Sequence, residues 1–186
     1  MGLNLKKFPI NKNWLLAALS LVLILESMVL ASWLKDRKMS VDTQPRGAVL
    51  QLEPNQGNFE VGKEFTVKVL LDTGEYETDA TDVRLSYDPL VLEGVKIEPG
   101  TIYDAYPTKR FSQDDGAVII YGITSVSTTF KGVGEFAQVT FKAKKPGKTN
   151  LIFEYVPEST KDSNVVATKL AKDILSRVEG ATIEIN

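Results

Sequence analysis

The sequence predicts an all-β fold, an antiparallel β-sandwich, preceded by one N-terminal transmembrane helix. Three observations carry this. An uninterrupted apolar run, "WLLAALSLVLILESMVLASWL", fills residues 14–34. The rest of the chain alternates apolar and polar residues with a period of two, as strands with one buried side must. Turn-forming pairs separate those alternating runs at short, regular intervals.

The apolar run comes first. At about 1.5 Å rise per residue, a helix of this length extends roughly 31 Å, which matches the roughly 30 Å hydrocarbon core of a bilayer. Trp14 and Trp33 stand at its ends, where indole rings favour the membrane interfaces, and Lys6, Lys7 and Lys12 face Lys35, Arg37 and Lys38 across it. Glu26 lies near the middle. A charge there costs about 2–3 kcal/mol, so the side chain is expected either uncharged or paired with another membrane helix. Two readings of the segment stand: a signal anchor that stays in the membrane, or a signal peptide cleaved after Ala31. The run exceeds the length of a usual signal h-region and continues through Trp33 and Leu34 past the cleavage point, which favours the anchor. The free amino terminus and Asp36 tip the charge balance toward a cytoplasmic tail of residues 1–13 and a C-terminal body outside the cell or on its surface.

Residues 35–46, "KDRKMSVDTQPR", are polar and without periodicity, and read as a linker. Residues 47–186 remain as one domain, long enough to bury a core. Setting Lys6, Lys7 and Lys12 aside from the 22 basic residues, and Glu26 from the 24 acidic ones, leaves everything beyond residue 34 with four more acidic than basic residues. A mildly acidic body without a basic cluster argues against nucleic acid as a partner.

The strands follow in order. In "FTVKVLLD" Phe65, Val67, Val69 and Leu71 share one face, and Thr66, Lys68 and Asp72 the other. Val83, Leu85 and Tyr87 alternate with Arg84, Ser86 and Asp88. "AVIIYGI", residues 117–123, is apolar on both faces and is expected to be a central strand. Ala137, Val139, Phe141 and Ala143 alternate with Gln138, Thr140 and Lys142, and Ala181, Ile183 and Ile185 with Thr182 and Glu184. Asp115-Gly116 is placed for a tight hairpin. Pro146-Gly147 is placed for a type II turn joining strands 135–144 and 149–156. One segment, "NVVATKLAKDILSRV", offers Val166, Leu170 and Ile174 at helical spacing, and reads equally as a loop and a strand.

Residue types limit the chemistry. With no histidine and no cysteine in the chain, histidine-based triads, cysteine nucleophiles and ordinary zinc sites are excluded. A glycosidase needs two carboxylates facing each other across a cleft, whereas Asp114 and Asp115 are neighbours in a turn. No catalytic residue and no cofactor are expected, and the chain is read as a non-enzyme. The densest charge, "DTGEYETDATD", holds Asp72, Glu75, Glu77, Asp79 and Asp82 without a base. Oxygen-rich loops bind calcium, but the regular ligand spacing of a dedicated loop is missing here. A solvated loop is the leading reading, followed by a weak calcium site and an acidic partner-binding edge.

Taken together, "GAVLQLEPNQGNFEVGKEFTVKVLLDTG" and "ATDVRLSYDPLVLEGVKIEPGTIY" resemble the opening half of a cohesin domain. The likeness lies in an initial strand, a Val61-Gly62 turn before a long alternating strand, then Tyr87-Asp88-Pro89, Leu92 and Pro99-Gly100. "GAVIIYGIT", "GVGEFAQVTFKAKKPGKTNLIFE", "DSNVV" and "GATIEIN" resemble the later strands in order and spacing, so the resemblance covers about residues 47–186. It implies a jelly-roll sandwich of about nine strands, in a family related in fold to bacterial carbohydrate-binding modules.

The resemblance also implies a function: cohesin-like domains bind dockerin modules on other polypeptides through one sheet face. By analogy that face includes the strand of Arg84 and Ser86, with the strand of Tyr121 beside it. A membrane-tethered copy would then hold a protein partner at the cell surface. A second reading is a carbohydrate-binding module that tethers polysaccharide. Such modules stack sugars on exposed aromatic rings, and the body offers Tyr76, Tyr103, Tyr106 and Tyr121 but no tryptophan. A third is a structural ectodomain of a membrane complex, with Glu26 marking a helix partner.

Overall fold

A strand with one apolar side is stable only when that side is covered, and two such sheets cover each other. The computed structural model describes Glu26, which is helical and exposed, and residues 45–157, 159 and 161–186. The anchor segment with Trp14 and Trp33, and the linker up to Gln44, lie outside the described residues. Among the described residues no helix is long and apolar enough to cross a membrane.

Pro45–Asn186 form one compact unit. It holds β1 (Ala48–Glu53), β2 (Gln56–Phe59), β3 (Glu64–Asp72), β4 (Thr78–Ser86), β5 (Leu92–Pro99), β6 (Ala105–Ser112) and β7 (Ala117–Ile123). β8 (Val133–Ala143), β9 (Gly147–Phe153), β10 (Asn164–Ala167), β11 (Lys172–Asp173), β12 (Leu175–Glu179) and β13 (Ala181–Ile185) follow. One sheet has five strands in the order β12-β1-β3-β8-β5. The other has eight: β4 carries β7 on one edge, while β10 and β9 share its other edge. β6 then extends the sheet beyond β7, β11 beyond β10, and β13 and β2 beyond β9.

The expected inward faces are the observed ones. Val67, Val69, Leu71, Val83, Leu85, Ala137, Val139, Phe141 and Ile183 are all fully buried. β7 is internal, paired with both β4 and β6. The β6–β7 hairpin turns through Gln113–Gly116, and Gly116 has φ +63°, a left-handed conformation that costs glycine little. Ser112 Oγ donates to Asp115 Oδ2 at 2.6 Å, so Asp115 holds this turn together. Pro89 ends β4, and Asp88 closes the next turn by accepting the Leu90 N–H on Oδ1 at 2.8 Å.

Three expectations are corrected, and one open reading is decided. There are thirteen strands among the described residues, not about nine, because pieces as short as β2, β10 and β11 leave no readable period. The sandwich is not wholly antiparallel. β1 pairs with β12, and β2 with β13, in parallel. The chain crosses between sheets from β1 to β2 at Pro54 and from β12 to β13 at Gly180, where a Cβ would come within 2.3 Å of the Leu151 carbonyl oxygen. The Pro146-Gly147 connection is no type II turn: Gly147 has φ +152°, and the chain passes from β8 in one sheet to β9 in the other. The ambiguous segment is β10, a turn, β11 and β12, without helix. Val165 and Ala167, not the helically spaced Leu170, point inward. Asp173 fastens this segment by accepting the N–H groups of Val165 (3.0 Å) and Leu175 (2.9 Å) on Oδ1.

The core has an aromatic cluster toward each end of β3 and β8. Phe141 lies 5.1 Å from Tyr87, 5.9 Å from Phe65 and 6.1 Å from Phe111, by ring centroids. Tyr103, Tyr106, Phe130 and Phe136 form the other cluster. Phe136 is invisible to a strict alternation. The β3–β8 register slips between Val69 and Leu70, so Phe136 and Ala137 are both buried in succession.

Candidate binding face

The outward residues of β4 and β7 meet in register: Asp82 opposite Tyr121, Arg84 opposite Ile119, and Ser86 opposite Ala117. β6 continues the rungs, with Thr108 beside Tyr121 and Arg110 beside Ile119. On the other side of β4, Ile152 of β9 stands opposite Ser86. Thus Arg84, Ser86 and Tyr121, three of the expected binding residues, share one sheet face. The fold adds Ile123, Ile152, Glu154 and Asn164 to it.

Arg84 is the best-anchored residue of this face. Its Nε donates to Glu154 Oε2 at 3.0 Å, its backbone N–H donates to the buried Ser163 Oγ at 3.0 Å, and Ser163 Oγ donates back to the Arg84 carbonyl at 3.1 Å. The bond to Glu154, helped by Tyr121, raises the guanidinium pKa and keeps it charged. Burial pushes the Asp82 carboxyl above its ordinary range, partly opposed by the Asn164 amide at 3.4 Å. Ser86 Oγ donates to the Ile152 carbonyl at 3.2 Å. Ile123 and Ile152 remain 42% and 54% exposed, so apolar surface lies open beside the fixed charges.

The opposite outer face of the sandwich is different. There Thr66 and Thr140 share a hydroxyl hydrogen bond at 2.8 Å, and Lys68 with Glu135 (3.2 Å) and Lys96 with Glu98 (2.7 Å) form ion pairs. Val133, at the start of β8, is exposed on the same face.

The other expected residues fall elsewhere. Tyr103 is buried in the core, with its hydroxyl 2.9 Å from Thr78 Oγ1 and 2.8 Å from Thr81 Oγ1. Tyr106 is half-buried against Phe136, its hydroxyl enclosed and, among the described residues, without a hydrogen-bond partner. Neither offers a ring face for a sugar to stack on, and Tyr76 lies apart, in a cleft with Lys131 and Leu170. The five acids of the calcium candidate do not form one ligand set. Asp72 pairs with Arg46 at 3.0 Å, Glu77 with Lys169 at 3.0 Å, and Asp82 belongs to the face described above. Among the described residues no three acidic side chains converge on a common cation position.

Comparison with known proteins agrees with this architecture. Among solved structures, the third ScaC cohesin of Acetivibrio cellulolyticus, in complex with the ScaB dockerin, superposes with a TM-score of 0.61 at 13% identity, covering 74% of this chain and 98% of that one. A type I cohesin–dockerin complex of Clostridium thermocellum gives 0.59 at 17% identity, covering 75% and 92%. A non-cellulosomal cohesin of the archaeon Archaeoglobus fulgidus gives 0.57 at 13% identity, covering 75% and 91%. No curated protein matches by sequence. The cohesin-domain family model matches residues 49–183, nearly the whole body, and the chain therefore belongs to the cohesin family.

Proposed function

We propose that this chain is a membrane-anchored binding module, not an enzyme, that holds a dockerin-type protein partner at the cell surface through the outer face of β4, β7 and β6. The observation that carries this reading is the contrast between the two outer faces. Both expose apolar surface, Val133 on one and Ile123 and Ile152 on the other, but only the latter combines it with a half-buried tyrosine, Tyr121, and an arginine held in place by Glu154. Exposed apolar surface next to aromatic and arginine side chains is the composition of protein-binding hot spots. The two complexes from Acetivibrio cellulolyticus and Clostridium thermocellum contain dockerins, which supports a partner of that class. The apolar run 14–34 supports the anchor.

The test is surface plasmon resonance of the full chain in lipid nanodiscs against a panel of dockerin modules. Binding of at least one module is expected, weakened at least thirtyfold by Tyr121→Ala or Ile123→Asp, about 2 kcal/mol of a hot-spot contribution. Binding to none, or binding indifferent to both substitutions, refutes the proposal.

A further inference from the structure

The outer face of the eight-stranded sheet changes character beyond β9. There the register builds two rungs across three strands: Gln56, Thr182 and Asn150 form one, and Asn58, Glu184 and Lys148 the other. Their neighbours Ala181, Ile183 and Ile185 point into the core, so these six side chains point outward together. Strands lie about 4.8 Å apart and successive outward residues about 6.7 Å apart, giving a patch the size of a disaccharide. The patch is concave. A hollow of about 420 Å³ lies over Gln56, Asn58, Lys148, Thr182 and Glu184, and a second of about 330 Å³ adjoins it at Thr182 and is walled by Asn55, Asn150, Ile152 and Val178.

The groups present define their ligand. Asn55, Gln56, Asn58 and Asn150 each carry an amide donor and an amide acceptor. The Thr182 hydroxyl donates to Asn150 Oδ1 at 3.0 Å, leaving the Asn150 amide N–H groups as donors. Lys148 and Glu184 are cross-strand neighbours whose charges offset each other. A complementary ligand is therefore uncharged and carries closely spaced groups that both donate and accept. Vicinal sugar hydroxyls meet that description, and Ile152 and Val178 present an apolar wall for the C–H face of a ring. A protein partner would look for an aromatic or arginine anchor, and an anionic polymer for net positive charge. This groove has neither, and a sugar in it would be held by amide hydrogen bonds and aliphatic contact without ring stacking.

We propose that the β9–β13–β2 groove binds a neutral polysaccharide, at a site that meets the β4–β7–β6 face only at Ile152. The test is affinity electrophoresis of the full chain, in a detergent without a sugar headgroup, through native gels containing xylan or mixed-linkage β-glucan, with anionic polygalacturonate as control. Retardation by at least one neutral polysaccharide is expected. Gln56→Ala/Asn58→Ala should weaken it at least tenfold, and Asn150→Ala, on an interior strand and judged by its own melting curve, should weaken it independently. Tyr121→Ala should leave it unchanged, and the double variant should leave dockerin binding unchanged, so the two sites fail separately. The proposal is overturned by the absence of retardation in both neutral polysaccharides, by retardation in polygalacturonate alone, or by retardation that survives both amide variants or disappears with Tyr121→Ala.

Discussion

Removing one oxygen atom from Tyr103 tests its assignment to the core. Its hydroxyl lies between Thr78 Oγ1 at 2.9 Å and Thr81 Oγ1 at 2.8 Å, and Thr78 Oγ1 also reaches the Phe130 carbonyl at 3.1 Å. Each hydroxyl has a single proton, so one arrangement places all three. Thr78 donates to Phe130, Tyr103 donates to Thr78, and Thr81 donates to Tyr103. Burial raises the Tyr103 pKa, so the phenol keeps its proton. In Tyr103→Phe, Thr78 keeps its acceptor, but the fully buried Thr81 hydroxyl loses its own. An orphaned buried donor costs about 1–3 kcal/mol. For a body of this size that lowers Tm by roughly 3–10 °C. Thr81→Val removes the stranded donor while keeping the shape, so Thr81→Val/Tyr103→Phe should be less destabilised than the sum of its two single substitutions, by about 1 kcal/mol. The assay is urea unfolding of the full chain in detergent, followed by far-UV circular dichroism, with the m-value checked for constancy. A Tyr103→Phe loss below about 0.5 kcal/mol, or strict additivity in the double variant, refutes the hydroxyl chain.

Two further outcomes follow from the same packing. A Cβ built on Gly100 would lie 1.9 Å from the Glu135 carbonyl oxygen, a backbone atom that cannot swing aside, so Gly100→Ala should cost about 3 kcal/mol in the same assay. A melting temperature within 2 °C of the parent, about 1 kcal/mol or less, would show that the strands can part there. Burial raises the folded-state pKa of Asp82, so the folded chain binds its proton more tightly than the unfolded chain. This contribution is therefore present below the unfolded value of about 3.9 and is lost as pH rises through the higher folded value. Asp82→Asn removes it, so the melting temperature of the variant relative to the parent should increase between about pH 4 and pH 7; a flat or falling difference contradicts the desolvated carboxyl.

How far a sequence can be read depends on whether the deciding contact is local. Side-chain alternation is a property of each strand alone, and Phe65 to Leu71, Val83 to Tyr87 and Ala137 to Ala143 accordingly pointed inward as their spacing requires. Likewise Asp115-Gly116 made its hairpin, because the four residues between β6 and β7 decide that turn by themselves. Half of the candidate face was legible for the same reason. Arg84 and Ser86 must share a side of their strand, but Glu154, Asn164 and Ile152 join them only because β9 and β10 share one edge of β4.

By itself, then, the sequence determined that the body is built of one-sided strands, that histidine and cysteine chemistry is absent from it, and that an apolar run long enough to cross a bilayer precedes it. Tertiary structure alone decided which tyrosines lie on an outer face and which are core. Tyr103 and Tyr121 carry the same ring, and they differ in whether a second sheet or solvent lies above it. It also decided that the calcium-candidate acids separate and that four amides, two from β2, one from the turn before it and one from β9, gather in one groove. Strand partners far apart in the chain are chosen by the packing of the whole core, and the one-residue slip at Phe136 shows how little of that choice a local pattern records.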